Sequence, residues 1–130
     1  SGGYEWPVRG LVTSRFGTRG RKFHSGIDIS ARKGTPIRAI ADGFIVQSSN
    51  KLEGYGKYGR VVIINHGMGI TSLYAHNRKN LVNSGTCIKK GQKVAEVGSS
   101  GNATGSHLHL EIRKNGKPVN PLIYLENQGG

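Results

Sequence analysis

The most constraining feature of the sequence is the strict alternation in residues 107–113, which read His-Leu-His-Leu-Glu-Ile-Arg. Side chains alternate across a β-strand, so residues two apart share one face. Leu108, Leu110 and Ile112 therefore predict a buried face, while the two histidines and Glu111 predict the opposite face. A chain with this segment needs a sheet that has a core on one side and water or a cleft on the other.

Other strand-like runs are spread along the chain, at residues 36–41, 43–48, 60–66, 70–76 and 93–98. Asp42-Gly43 and Asn115-Gly116 are strong signals for hairpin turns. The 21 glycines, with only 4 prolines, suit many tight turns between short strands. No long amphipathic helix is evident, although residues 77–83 could hold one helical turn. The pattern predicts one compact domain that is mainly β and built from antiparallel sheet.

Charge and cysteine content bear on partners. The formal net charge is +12, from 19 basic and 7 acidic residues. Such a field favours nucleic acid, an acidic cell-wall polymer or an anionic membrane surface, and a solvated basic surface is the alternative. Cys87 is the single cysteine, so no internal disulfide can form, and we expect it to be a small buried hydrophobe. No run reaches the roughly 18 apolar residues of a membrane helix, so no transmembrane segment is expected.

Histidine placement carries the chemistry. His107 and His109 share a strand face and could reach one small site, or they could be incidental residues on a solvated face. His24 and Asp28 offer an imidazole and a carboxylate, both of which bind zinc. In a straight strand their Cα atoms would lie about 13 Å apart, so the chain must bend between them. Gly26 permits that bend. A polar loop before a strand is the alternative interpretation.

The remaining histidines divide into one candidate and one structural residue. His76 ends an alternating strand, whereas His66 precedes a glycine at a strand-to-turn junction and is interpreted as structural. The chain then offers three candidate ligands of mixed type, His24, Asp28 and His109, and two spare imidazoles. Three protein ligands with one open position form the catalytic type of zinc site. No helical His-Glu-x-x-His motif is present, so a histidine would have to be the general base.

At this point the residues match a known family. The segments that carry the match follow one another in the order HSGID, KGTPIRAIADG, GYGKYGRVVIINHG, LYAH and IKKGQKVAEVGSSGNATGSHLHLEIR. Together they resemble the LytM/lysostaphin-type zinc endopeptidases, over residues 7–125. We expect residues 1–6 to be a trimmed remnant or a linker end, and residues 126–130 to be a C-terminal tail.

The resemblance implies a fold, a site and a substrate. The fold is a small antiparallel platform with a loop-lined groove. His24, Asp28 and His109 bind Zn²⁺, and His76 and His107 are the catalytic pair. The substrate is the peptide stem of bacterial peptidoglycan, whose cross-links are hydrolysed by zinc-activated water with histidine acid/base assistance. The setting is the periplasm or the cell exterior, with other domains of a parent protein or envelope regulators as further partners.

Several residues are weaker candidates for the groove. Glu111 could orient a ligand, or it could be a surface residue paired with Arg113 or Lys114. Arg15 could meet a substrate carboxylate, and Tyr74 could line the groove. Tyr55 and Tyr58 could stack on a peptide. Which cross-link is cut, and which of the two spare histidines is the base, stay open at this point.

Three rival functions remain. Some members of the resembled family have lost zinc ligands and activate cell-wall amidases, but this chain keeps competent residues at all five site positions. A nucleic-acid binder is permitted by the charge, yet aromatic residues are few and no recognised motif is present, so no nucleic acid is expected. The segment KGQKVAEVG resembles lipoyl or biotinyl carriers, which offer no use for five histidines.

Overall fold

The structure is a computed structural model that describes residues 3–50, 56–100 and 105–126. Within these ranges it contains a 3₁₀ turn at Gly56–Tyr58, one short helix, α1, at Pro121–Tyr124, and thirteen strands in three sheets. The strands are β1 (Val12–Ser14), β2 (Gly17–Arg19), β3 (Lys22–His24), β4 (Ile27–Ser30), β5 (Pro36–Arg38), β6 (Gly43–Ser49), β7 (Arg60–Gly67), β8 (Ile70–Asn77), β9 (Lys79–Asn80), β10 (Cys87–Ile88), β11 (Lys93–Glu96), β12 (His107–Lys114) and β13 (Lys117–Val119).

The largest sheet has the strand order β1-β4-β12-β8-β7-β6-β10, and β13 pairs with β12 as a hairpin. All of these pairings are antiparallel, as the sequence predicted. Strand β12 lies between β4 and β8, which places His109 opposite Asp28 on one side and opposite Ala75 on the other. Residues far apart in the chain thereby become neighbours at the centre of the sheet.

Alternation along the central strands sorts side chains onto two faces. Leu108, Leu110 and Ile112 are fully buried in the main core, where Ile27 and Ile29 of β4 join them. Burying each such side chain contributes roughly 1.5–3 kcal/mol, so the register of β12 is strongly specified. The opposite face holds a smaller cluster on β7 and β8 and, beside it, the histidines.

The three-stranded sheet, ordered β5-β11-β9, adds residues such as Ile37 and Val94 to the main core. The hairpin expected at Asp42-Gly43 is not formed, because the strands on either side of it do not pair with each other. Strand β5 pairs with β11, while β6 pairs with β7 and β10. The Asp42 carboxylate accepts a hydrogen bond from the Lys90 backbone amide at 2.8 Å, and this contact ties the turn to a different part of the chain.

Two smaller expectations are also wrong. Residues 77–83 form no helical turn; they contain β9, whose pairing with β11 supplies the backbone partners that a helix would have supplied. Cys87 is exposed, because it lies on β10 at the edge of the large sheet and not in its interior. Across the described ranges, no helix has both the length and the apolar composition to cross a membrane.

Candidate metal centre and active site

Three side chains converge at the point where β3, β4 and β12 meet. His24, Asp28 and His109 each turn one potential ligand atom inward, and these atoms lie within 4.8 Å of one another. The Asp28 Oδ1 atom is 3.5 Å from His24 Nε2 and 2.8 Å from His109 Nδ1. These are the three residues that the sequence predicted as ligands, and their role in binding stays a prediction.

The bend between His24 and Asp28 lies at Ser25-Gly26, between the end of β3 and the start of β4. Gly26 passes so close to β12 that a Cβ atom there would lie 2.2 Å from the Leu110 carbonyl oxygen. Glycine is therefore required by close approach of two backbones, and not by a positive φ angle. The same bend keeps Ile27 in the core while Asp28 faces the site.

The second ring nitrogen of His24 is held by backbone. His24 Nδ1 lies 3.0 Å from the Arg15 carbonyl oxygen, which can only accept, so Nδ1 carries the proton. Nε2 is then left unprotonated and faces Asp28. Fixing the outer nitrogen in this way is how metal-binding histidines are usually oriented.

His109 is held by a buried carboxylate. Its Nε2 donates to Glu111 Oε2 at 2.9 Å, and Glu111 is fully buried. Ser25 Oγ donates to the same oxygen at 2.6 Å, Tyr58 donates to it as well, and Arg113 donates to Oε1 at 2.7 Å. Burial opposes ionisation of Glu111, yet the bonds from His109, Ser25 and Tyr58 outweigh it and lower its pKa to about 2.

The donor chemistry fits a cation. With Nε2 bonded to Glu111, Nδ1 of His109 points at the Asp28 oxygen 2.8 Å away, and at that distance the two atoms must have a proton or a metal ion between them. Burial lowers the pKa of His109, but its bonds to Asp28 and Glu111 outweigh burial and raise it. Ligands in tetrahedral zinc sites lie about 3.3 Å apart, given bonds of about 2.0–2.1 Å, which is comparable to the spacing of this set.

His107 lies beside the donor set. Its Nδ1 donates to the Gly105 carbonyl at 3.0 Å, which leaves Nε2 facing Asp28 Oδ1 at 3.8 Å. Its ring centroid is 5.2 Å from that of His76. Both predicted catalytic histidines therefore border the same small space.

His76 reaches that space through a β-bulge. Simple alternation puts His76 on the face of Ser72 and Tyr74, which is the core side. The register between β7 and β8 shifts at this point, and His76 adopts a left-handed conformation with φ of 65°. A non-glycine residue in that region is strained, and bulges of this kind re-aim side chains beside active sites. The ring thereby turns toward His107 and His109.

The environment of His76 favours its neutral form. Nδ1 donates to the Ser100 carbonyl at 2.7 Å, so Nε2 is the unprotonated nitrogen. Burial lowers the pKa of His76, and the hydrogen bond to Ser100 offsets this only in part. A neutral imidazole with one free lone pair can accept a proton at neutral pH.

The tyrosine predicted in the groove is in the core. Tyr74 is fully buried, its hydroxyl accepts from the Ile40 amide at 3.2 Å, and the Ser72 hydroxyl lies 2.7 Å away. Burial raises the pKa of Tyr74 to about 12. The expectation that Tyr74 binds substrate is therefore corrected, because the bulge that redirects His76 comes two residues later. Ser72 also binds His66 at 2.7 Å, in keeping with a structural histidine.

Tyr58, which could have stacked on a peptide, lies beside the donor set but is buried. Its ring stacks on His109 with centroids 5.4 Å apart, and its hydroxyl binds Glu111. Burial and the Glu111 hydrogen bond raise the pKa of Tyr58 to about 12. Tyr55, the other tyrosine of that loop, lies outside the described residues.

Two further outcomes concern residues around the donors. The Arg15 side chain is exposed, and the contact that Arg15 makes to the site is through its carbonyl to His24. Glu111 is buried, so the alternative that made it a surface residue is wrong, although its pairing with Arg113 is present. Ser25 was missed as a site residue, and its position next to His24 in the sequence was the one available signal.

Comparisons with known proteins give a family model and several relatives that match this chain. The model of "Peptidase family M23" matches residues 22–121. The chain is 44% identical over 124 residues to the "Lipoprotein NlpD/LppB homolog" of Pseudomonas aeruginosa, covering 95% of this chain and 40% of that protein. It is 44% identical over 122 residues to the "Murein hydrolase activator NlpD" of Escherichia coli K12, covering 94% and 31%. Against the "DD-carboxypeptidase/endopeptidase Mpg" of Neisseria meningitidis it is 45% identical over 101 residues, covering 78% and 22%.

A solved structure shares the fold. The "zinc containing peptidase" of Vibrio cholerae superposes with a TM-score of 0.83 at 28% identity, over 91% of this chain and 39% of that one. The chain spans less than half the length of each of these relatives. Residues 22–121, which the family model matches, contain the bend between β3 and β4 and the strands that carry the histidines.

Proposed function

Given that this chain belongs to peptidase family M23, we propose that it is a zinc-dependent endopeptidase that hydrolyses peptide cross-links of bacterial peptidoglycan. The observation that carries the proposal is the donor set of His24, Asp28 and His109 with two further imidazoles beside it. A structural zinc site would use four closed ligands, whereas three donors leave a position for reaction.

His24, Asp28 and His109 would hold the metal. When bound, zinc supplies Lewis-acid polarisation of a carbonyl and makes water acidic near neutral pH. Arg15 and Glu111 keep the two donor imidazoles in the required tautomers, because each engages the outer ring nitrogen. The donor geometry is thereby set before any ligand arrives.

The spare histidines would move protons. His76 has a lowered pKa and an unprotonated Nε2, which suit it to accept a proton from the attacking water. The proton that His76 accepts can then pass to the leaving amine, and His107 Nε2, on the other side of the same space, is placed to relay it. Proton transfer of this kind contributes roughly 10²–10⁴-fold in rate.

Peptidoglycan is the proposed substrate on two grounds. Relatives at 44–45% identity carry names that refer to murein hydrolase activation and to DD-carboxypeptidase/endopeptidase activity. The net charge of +12 also suits an acidic cell-wall polymer. We place the protein in the bacterial cell envelope for the same reasons, and a relative is named as a lipoprotein.

The test is digestion of purified cross-linked peptidoglycan with and without a zinc chelator, followed by measurement of dimeric muropeptides. Loss of dimers that the chelator prevents is the expected result. Intact dimers under both conditions, with zinc bound to the protein, would reject the proposed activity.

A second candidate function is activation of a cell-wall amidase, because the relative from Escherichia coli is named a murein hydrolase activator. This function would use the groove to bind a partner and would need no metal. Adding the protein to a purified amidase separates the two. Stimulation that survives both the chelator and the His107→Ala substitution would favour the activator.

A further inference from the structure

A second feature adjoins the donor set on the side of the β2–β3 hairpin. It is a pocket of about 260 Å³. The lining residues are Ser14, Arg19, Lys22, Phe23, His24 and Asp28. Two of these residues are candidate metal ligands, two are cations, and the other two are an aromatic residue and a serine. A group held in this pocket lies next to whatever occupies the metal position.

The hairpin concentrates positive charge at a cost. Arg19 and Lys22 are directly opposite each other in the β2–β3 ladder, and Arg21 lies in the turn between them. Like charges in directly opposed positions destabilise a strand pair. The arrangement is favourable when an anion lies between the two side chains.

Arg19 is partly anchored and partly available. Its Nη2 donates to Ser14 Oγ at 2.7 Å and to the Arg15 carbonyl, which fixes the guanidinium beside His24. Within the described residues, Nε and Nη1 of Arg19 and the Lys22 ammonium make no hydrogen bond or ion pair. An anchored guanidinium with free donors is well suited to a carboxylate.

Asp28 also lines the pocket, but its charge is already engaged. Its Oδ1 atom lies within 3.8 Å of a ring nitrogen of each of His24, His107 and His109. The remaining charge of the pocket is that of Arg19 and Lys22. The apolar wall is Phe23, which is 58% exposed and packs edge-on against Phe16.

We propose that this pocket binds a free carboxylate that lies beside the scissile bond of the substrate. The inference rests on the proposed function and narrows it. A cross-link to diaminopimelate has such a carboxylate, and so has the terminal D-alanine of an uncross-linked stem. A residue inside a glycine bridge has none, because its carboxyl group is tied up in the next amide. The pocket therefore selects the first two bonds over the third.

The test compares two muropeptide dimers that differ at one group. In one dimer the diaminopimelate carbon next to the scissile nitrogen carries a carboxylate, and in the other a carboxamide. We expect kcat/KM to favour the carboxylate by about tenfold or more, as for hydrogen bonds to charged groups. Equal rates on the two dimers would overturn the inference while leaving the proposed function intact.

Variants assign the selectivity to the pocket. Lys22→Gln keeps the anchoring bonds of Arg19, and combining it with Arg19→Gln removes both charges. We expect the carboxylate-to-carboxamide ratio to fall with the first and to approach one in the double variant. Arg21→Gln removes a charge from the same hairpin without touching the pocket, and the ratio should not change. If the substitutions merely disturbed His24, cleavage of both dimers would slow and the carboxylate-to-carboxamide ratio would not change. A preserved ratio in the double variant would therefore contradict the inference.

Binding gives an independent measurement. The two product peptides, with carboxylate or carboxamide, are titrated into the wild-type protein after zinc removal and followed by NMR. We expect the carboxylate peptide to bind about tenfold tighter, with the difference lost in the double variant. If neither dimer is cut, the proposed function fails, and this titration alone decides whether the pocket recognises carboxylate; equal affinities would reject it.

Discussion

The two halves of the candidate site are built differently. The inner half is His109 with Glu111, whose side chains are 6% and 0% exposed. Both residues lie on β12, which is flanked by β4 and β8 in the large sheet. The outer half is His24 and the β2–β3 hairpin, where the His24 side chain is 23% exposed and Phe23 is 58% exposed. Each half orients one donor imidazole, the inner through a buried carboxylate and the outer through a backbone carbonyl.

This difference predicts that the inner half provides a rigid metal site and that the outer half determines substrate selectivity. Buried hydrogen bonds are costly to break because the remaining partner loses water as well as its bond. Side chains on a two-stranded hairpin can change with little effect on the core. We therefore expect substitutions in the inner half to change metal affinity and stability, and substitutions in the outer half to change which substrates are cut.

The largest effect is expected at the two spare histidines, which belong to neither half. His76→Ala and His107→Ala should each reduce turnover by about 10²–10⁴-fold, because proton transfer is lost while all three donors remain. Zinc content measured by atomic absorption should stay at the wild-type level. Wild-type rates in both variants would show that the proton-transfer scheme is wrong.

Gly26→Ala tests the junction between the halves. The added Cβ would lie 2.2 Å from the Leu110 carbonyl oxygen and 2.9 Å from Glu111 Cγ, so the backbones must separate. We expect a loss of about 3 kcal/mol in the free energy of unfolding, the upper part of the usual range for overpacking. Gly105→Ala is the control, since nothing lies within 4 Å of its added Cβ. Equal urea denaturation midpoints for the two variants would remove the close-approach argument.

Glu111→Gln compares the two ways of orienting a donor. Removing the charge that holds His109 should weaken zinc binding by about 10–100-fold, as for other carboxylates that orient metal-binding histidines. Ser14→Ala is the counterpart in the outer half. The contact of Ser14 Oγ with His24 Nδ1 is long, at 3.4 Å, and the Arg15 carbonyl still holds that nitrogen when Ser14 is replaced. The zinc affinity of this variant should stay within about threefold of wild type. Competition with a chelating dye measures both, and normal affinity in Glu111→Gln would reject the orienting role.

Acid unfolding sharpens the same comparison. The pKa of Glu111 is lowered from 4.5 to about 2 in the folded protein, so its ionised form stabilises the fold at higher pH. That contribution is fully present above pH 4.5 and is lost as the pH falls toward 2. Urea unfolding of the metal-free protein at several pH values should show this loss in the wild type. Glu111→Gln should show a smaller decline over the same interval, and identical declines would contradict the assignment.

The sequence predicted the parts of the site that depend on local periodicity. Alternation along β12 correctly placed Leu108 and Leu110 in the core and His107 and His109 on the other face. Alternation did not predict the direction of the His76 side chain on the neighbouring strand β8, because the bulge there depends on the pairing of β7 with β8. The same bulge explains why Tyr74 was misplaced in the groove.

Long-range contacts lay beyond sequence reasoning. Burial of Glu111 depends on Ser25 and Tyr58, which are 86 and 53 residues away and are brought together by the sheet order. The prediction of a hairpin at Asp42-Gly43 was wrong for a similar reason, since the two flanking strands pair with other strands in different sheets. The resemblance to known peptidases named the donor residues, and their roles remain predictions.

The most direct test of the central claim is a zinc titration into metal-free protein, with cleavage of a cross-linked muropeptide dimer followed in the same samples. The account predicts that the rate rises in proportion to bound zinc and reaches its plateau at about one zinc per chain, as expected for a single catalytic site. Zinc bound at that ratio without cleavage, or cleavage that does not depend on zinc, would contradict it.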